Sequence, residues 1–120
     1  MARIFHDEDA PHGALAGRRV AVIGYGNQGK AWAQNLRDSG VDVVVGTVAD
    51  SSRAEAQADA FSAHEIPEAV SNADVVCLLI PDEVMGDAVA SSVAPSLKTG
   101  AAVCFASGYA VAFDEVKLPD

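Results

Sequence analysis

The most specifically spaced residues in this chain are Gly24, Gly26 and Gly29, set as Gly24-Tyr25-Gly26-Asn27-Gln28-Gly29 directly after the apolar run Val20-Ala21-Val22-Ile23. Glycine has no reactive group, so the chemistry this pattern supports is recognition by the backbone. Gly24 permits a tight turn out of a strand. Gly26, with no Cβ, lets a pyrophosphate approach the main chain, and Gly29 lets a helix pack close to the strand. The phosphates would then sit on the N–H groups at the positive end of that helix. The bare spacing also occurs in unrelated glycine-rich turns. Here Arg18 and Arg19 precede the apolar run, and Lys30 to Ser39, with Ala31, Trp32, Ala33 and Leu36, reads as a helix stopped by Gly40. That strand–turn–helix context marks a dinucleotide-binding turn.

A second group of residues bears on which dinucleotide is read. In NAD-preferring turns of this kind, an acidic residue ending the second strand takes the ribose hydroxyls. The corresponding position is Gly46 or Thr47, so that carboxylate is missing. The loop that follows holds Asp50, Ser51, Ser52 and Arg53. Two hydroxyls and a forked guanidinium suit a 2′-phosphate. Asp50 argues the other way, since it repels a phosphate and accepts from a diol. The same residues also suit a plain solvated loop in which Ser51 or Ser52 caps the next helix. The loop tilts the expectation to NADPH, with NADH as the alternative.

These groups need a scaffold, and the order of elements supplies one. Strands are expected near Arg19–Gly24, Asp42–Gly46, Phe61–Glu65, Asp74–Pro81 and Ala101–Ala106. Helices are expected near Gln28–Ser39, Arg53–Ala60, Ile66–Asn72 and from Asp82, a plausible cap, to about Leu97, where Pro95 disturbs the last turn. One more helical turn is expected between Ala110 and Asp120. Alternating strands and helices imply an α/β protein, a Rossmann-type doubly wound, mostly parallel sheet in three α/β/α layers. Ligands of such sheets lie beyond the carboxyl ends of the strands. The glycine turn, Pro81-Asp82-Glu83 and Ser107-Gly108-Tyr109 converge there.

The bulk properties narrow the classes. The chain has 120 residues, enough for a single domain over 1–120, and half of them are hydrophobic. The net charge of −9 argues against a nucleic-acid partner. No apolar run is long enough to cross a membrane, and the charged first residues lack the apolar stretch of a secretory signal. Cys77 and Cys104 each lie in an apolar run with no metal-like spacing, so two reduced core residues and a cytoplasmic location are expected. The three histidines are scattered, and no metal site is expected in this chain.

Several segments resemble one family specifically. They are Arg3-Ile4-Phe5 with Asp7 and Asp9-Ala10, the stretch Gly17 to Gly29, Asn35 to Val43, Ala73-Asp74-Val75-Val76, Leu79-Ile80-Pro81-Asp82-Glu83, and Phe105-Ala106-Ser107-Gly108-Tyr109. In the same order, along nearly the whole chain, they are similar to the N-terminal NADP-binding domain of ketol-acid reductoisomerase. The resemblance implies an oxidoreductase of branched-chain amino-acid synthesis that couples an alkyl migration to an NADPH-dependent reduction and needs two Mg²⁺ ions. It implies that Tyr25, Gly26, Asn27 and Gln28 hold the cofactor phosphates and Ser51 with its neighbours the 2′-phosphate. It also implies that Pro81, Asp82, Glu83, Val84 and Met85 line the cleft, and that the nicotinamide approaches Ser107 and Gly108.

The chain departs from the family at four places. Val48 stands where an arginine is usual, and Arg53 where a serine is common. Lys30 and Trp32 stand where histidines usually follow the third glycine. Ser107 stands where the family carries an active-site histidine; serine donates and accepts hydrogen bonds but does not titrate near neutral pH. The family's Mg²⁺ carboxylates belong to a helical C-terminal domain absent from these 120 residues, so Mg²⁺ is expected only with such a domain. The expectation is a cofactor-binding domain that reduces a 2-keto acid once a substrate domain completes it, with a homo-oligomer as its assembly. A non-catalytic dinucleotide-binding module, or a reductase of altered substrate without isomerase activity, is the alternative.

Overall fold

A computed structural model describes residues 1–120. Five strands, β1 (Arg19–Ile23), β2 (Asp42–Gly46), β3 (Ser62–His64), β4 (Val75–Leu78) and β5 (Ala102–Phe105), form one parallel sheet in the order β3-β2-β1-β4-β5. Helices α1 (Asn27–Asp38), α2 (Ser51–Ala58), α3 (Ile66–Ser71), α4 (Asp82–Ala88) and α5 (Tyr109–Ala112) alternate with them. This is the Rossmann-type arrangement that the alternation implies.

The central strand explains why the run before the glycines is continuously apolar. β1 lies between β2 and β4, and both of its faces are covered. Val22 points into a core with Val45, Ala33, Ala56 and Phe61, beneath α1 and α2. Ala21 and Ile23 point the other way, to Val44, Val76, Leu78, Ala69, Val70 and Met85, beneath α3 and α4. The chain leaves β1 towards β2 on one side, while β4 pairs with β1 on the other. The order therefore reverses at β1/β4, and a cleft opens beyond the ends of those two strands.

Several boundaries differ from expectation for identifiable reasons. β4 stops at Leu78, short of Pro81. Leu79 donates its N–H to the Ile23 carbonyl, and the chain then bends over the glycine turn. The helix expected to run from Asp82 to Leu97 is α-helical only to Ala88. It continues as a π turn, Val89–Val93, and a 3-10 turn, Ala94–Ser96. Pro95 supplies no N–H to an α-helical ladder there, and Val89 and Val93, four residues apart and on one face, are both fully buried. α2 starts two residues earlier than expected because its cap is Asp50, not Ser51 or Ser52. α4 is preceded by Pro81, and Asp82 makes no side-chain cap bond.

The two cysteines are register partners on β4 and β5, and both are free thiols. Cys77 is buried, and burial, helped by the neighbouring Cys104, pushes its thiol up to about 11. Cys104 is only half-buried because β5 is an edge strand, which corrects the expectation of two core cysteines.

Candidate functional site

The glycine turn is held from below and open above. Gly24 has φ +97, and a Cβ there would meet the Leu79 carbonyl oxygen at 2.6 Å, so only glycine fits. A Cβ on Gly29 would meet the Gly24 carbonyl oxygen at 2.1 Å, which is how closely α1 packs against the turn. Gly26 is different. It is exposed, and a Cβ there would meet nothing within 4 Å. The N–H groups of Gly26, Asn27 and Gln28, around the start of α1, have no acceptor in the protein. An array of free amides under a face kept clear of side chains is a cradle for a pyrophosphate.

This cradle forms one wall of a cleft of about 650 Å³ at the β1/β4 switch point. From β2 and its loop come Thr47, Val48, Asp50 and Ser52, and from the end of β4 come Leu79, Ile80, Pro81 and Asp82. Val84 and Met85 line it from α4, and Ala106 and Ser107 from the end of β5. Of the residues singled out in the sequence, Gly24, Tyr25, Gly26, Asn27, Gln28, Ser52, Pro81, Asp82, Met85 and Ser107 are brought together around the cleft. Gly29 lies beneath it as a packing residue. Ser51, Arg53, Glu83 and Gly108 are not among the lining residues. Sequence reasoning passed over Leu79 and Ile80 as lining residues, which the bend of the chain over Gly24 places there, while Val84 lines the cleft one helical turn from Pro81.

The β2–α2 loop shows what its charged residues do. The Asp50 Oδ1 accepts from the Ser52 N–H at 3.0 Å and from the Ser52 hydroxyl. That hydroxyl is the main reason the Asp50 carboxyl is held below the usual carboxylate range; the Ser52 and Arg53 amides and the Arg53 charge add to it against some desolvation. Arg53 is turned away. Its Nη2 donates to the Thr47 carbonyl at 2.7 Å, its Nε to the Thr47 hydroxyl at 3.3 Å, and its Nη1 lies 3.6 Å from Glu65 Oε1.

Tyr25 gives the cleft its backbone only. Its ring is buried and packs edge-on against Phe61, 5.9 Å between centroids. Its hydroxyl donates to Asp59 Oδ2 at 2.7 Å. Lys30 lies 3.2 Å from the same carboxylate and 2.7 Å from Glu55. Burial, then the bond to Asp59, pushes the Tyr25 hydroxyl up to about 12, while that bond and Lys30 hold Asp59 low. The side chain between the first two glycines therefore ties the turn to the end of α2.

At the far end, Ser107 is exposed, and its Oγ accepts from the Tyr109 N–H at 3.2 Å. Its own hydrogen remains free to donate. No group of three or more His, Cys, Asp or Glu side chains is arranged to hold a metal ion.

Residues 14–120 match the family model described as acetohydroxy acid isomeroreductase, NADPH-binding domain. The chain belongs to this family, also called ketol-acid reductoisomerase. The domain that this family model describes binds a nicotinamide dinucleotide. Among solved structures, an NADH-preferring ketol-acid reductoisomerase from an uncultured archean is 37% identical and superposes with a TM-score of 0.95. The match covers 98% of this chain and 38% of that one, so the chain spans well under half of that enzyme's length. A semialdehyde dehydrogenase NAD-binding protein from Cupriavidus necator, solved with calcium and NAD, is 28% identical with a TM-score of 0.73, over 86% of this chain and 37% of that one. The 3-hydroxyisobutyrate dehydrogenase of Mycobacterium tuberculosis, at 23% identity and a TM-score of 0.69 over 84% of this chain and 38% of that one, shares the fold.

Proposed function

We propose that this chain is the cofactor-binding part of a ketol-acid-reductoisomerase-type oxidoreductase of branched-chain amino-acid synthesis. It would hold a reduced nicotinamide dinucleotide so that hydride passes to the carbonyl of a 2-keto acid. The observation that carries this reading is the row of free amides at Gly26, Asn27 and Gln28 under the open face of Gly26. The bound cofactor supplies the hydride; the protein supplies position and electrostatics. Gly26 to Gln28 would bind the pyrophosphate. Val48 and Ile80 offer apolar surface around the adenosine end, and Met85 and Val84 line the wall towards Ser107. The free Ser107 hydrogen would donate to the substrate carbonyl oxygen or to the cofactor's carboxamide.

A keto-acid substrate, and Mg²⁺ with it, would need a further domain, because no metal-ligand cluster is present in this chain. The 120-residue chain alone should therefore bind cofactor without turning over 2-acetolactate. Calorimetric titration with NADH and NADPH tests the first half, and a Mg²⁺-supplemented turnover assay tests the second. Saturable binding without turnover is the expected result; turnover by the chain alone would refute it. Ser107 favours a second reading, a reductase or binding module without isomerisation, because serine cannot take up and release a proton near pH 7 as histidine does. Turnover of a 2-keto acid but not of 2-acetolactate, once a substrate domain is supplied, would select it.

The open edge of β5 and the exposed Val111 and Phe113 support a homo-oligomer. A monomeric mass at all concentrations in light scattering would refute that assembly. No helix is long and apolar enough to cross a membrane. A cytoplasmic location is supported by the cysteine usage of the sequence, two residues in apolar runs with no disulfide-framework spacing. Recovery of the chain in an oxidising compartment after cell fractionation would overturn that assignment.

A further inference from the structure

We propose that Cys77 and Cys104 form a dithiol site for small disulfides, through which β4 and β5 become covalently joined. Three observations carry it. First, the two residues are register partners in the parallel pairing of β4 with β5. Paired strands lie about 4.8 Å apart, inside the span of roughly 4.4–6.8 Å between Cα atoms that a disulfide bridges. Second, both side chains leave the same face of the sheet. Val76 and Leu78, on either side of Cys77, lie in the core beneath α3 and α4, and Val103 and Phe105, on either side of Cys104, pack against that core. Alternation along each strand sends the two cysteines to the opposite face. Third, that face can be reached. Cys104 is half-buried on an edge strand, and Cys77 borders an apolar groove of about 310 Å³ with Leu15, Trp32, Leu36 and Val75. This groove shares no residue with the cleft at the glycine turn.

The order of events follows from exposure. The Cys104 sulfur, the more accessible of the two, gives up its proton and attacks one sulfur of a small disulfide. A bond forms to Cys104, the reagent's S–S bond breaks, and half of the reagent leaves as a thiol carrying that proton. The Cys77 sulfur then gives up its proton, attacks the Cys104 sulfur and expels the other half as a second thiol. The protein loses two hydrogens and two electrons, and the reagent gains both. Burial keeps Cys77 protonated and slow towards outside reagents, so the mixed disulfide on its register partner is the one it meets. The finished bond fastens β5, which the sheet holds on one side only.

The test is treatment of the folded 120-residue chain with the disulfide of 2-mercaptoethanol, followed by mass spectrometry and peptide mapping. The wild-type chain should lose the mass of two hydrogens, show the Cys77 and Cys104 peptides joined, and revert with dithiothreitol. Cys77→Ser should stop at a stable mercaptoethanol adduct on Cys104, and Cys104→Ser should not react while folded. In mixtures of the thiol and its disulfide, the folded wild-type chain should close the bond at least about tenfold more favourably than the same chain in urea, because the fold holds the partners together. This comparison needs no variant, so it decides the matter even where a cysteine substitution prevents folding. No reaction, a lasting adduct on Cys104 of the wild-type chain, a dimer linked through Cys104, or closure no more favourable in the folded chain than in urea would overturn the proposal.

Discussion

Replacing the second and third glycines of the turn by alanine should separate folding from binding. In Gly29→Ala, the new methyl would lie 2.1 Å from the Gly24 carbonyl oxygen and 2.8 Å from its carbon. Neither atom can withdraw easily. Gly24 donates its N–H to the Gly46 carbonyl at 2.9 Å, and the Leu79 carbonyl closes the opposite side. The start of α1 must therefore retreat by about 1 Å or more, loosening the core around Ala33 and Val22. Overpacking of this kind costs about 3 kcal/mol, a fall of about 12 °C in Tm for a domain of this size. Gly26→Ala is the control. Its methyl meets no protein atom within 4 Å, and its φ of −77 suits any residue. The Tm should hold or rise slightly, while dinucleotide affinity falls at least about tenfold, because the methyl occupies the phosphate's approach. Thermal denaturation and calorimetric titration of both variants decide the matter. Wild-type affinity in Gly26→Ala would refute the phosphate path, and a wild-type melting curve for Gly29→Ala would refute the packing argument.

Tyr25→Phe keeps the ring against Phe61 but removes the bond to Asp59. It should lower the Tm by a few degrees and weaken dinucleotide binding while leaving adenosine binding unchanged, as competition titrations would show. Asp59 and Asp74 both have folded pKa values below the ordinary carboxylate range, Asp59 chiefly through Tyr25 and Asp74 chiefly through Lys98, 2.6 Å away. As pH falls, the unfolded chain takes up these protons first. Their stabilisation is therefore complete above the unfolded value of about 3.9 and is lost as pH falls through the folded values. Urea midpoints should drop less between pH 5 and 3 in Asp74→Asn than in the wild-type chain. With its thiol near 11, only about one Cys77 in a thousand is ionised at pH 8. In Cys104→Ser, thiol-reagent labelling should therefore be slow until urea unfolds the domain; rapid labelling of the folded protein would count against its burial.

The legible parts of this chain were those fixed by local steric and hydrophobic rules. Asp42–Gly46 was readable as a strand because Val43, Val44 and Val45 must all be covered on both faces. The turn was readable because its glycines answer to contacts within a few residues, as the Gly24–Gly29 approach shows. Arg53 was misleading because its partners, Thr47 and Glu65, meet it only once β2 and the segment leading into α3 are assembled. Tyr25 was read as a phosphate neighbour because only its position between two glycines is visible in sequence. The direction of its ring is set by Phe61 and by Asp59, 34 residues away. Pro95 is visible in the sequence and falls in the final 3-10 turn, but the π turn at Val89–Val93 that precedes it has no local sequence signal.

The charge balance of the site leads to one last consequence. The protein carries a net charge of −9, and its cleft holds no cationic side chain, so on the proposed reading an anionic cofactor would be bound by amide dipoles against a repulsive background field. Dipoles at contact distance are screened little by salt, whereas repulsion from charges spread over the surface is screened within about 10 Å at 0.1 M. Raising the salt concentration from 20 to 300 mM should therefore leave NADH affinity unchanged or improve it by a few-fold. A site built on arginine–phosphate ion pairs behaves oppositely and weakens with salt. A Val48→Arg variant should take on that behaviour for NADPH, since its added affinity would come from an exposed ion pair. Titration of both proteins across this range, holding pH and anion type fixed, would show it. A steep loss of NADH affinity with salt in the wild-type chain would mean that a cation, Arg53 or Lys30, has moved onto the phosphates on binding. The account of Arg53 as a strut bound to Thr47, or of Lys30 as the partner of Asp59 and Glu55, would then have to be abandoned.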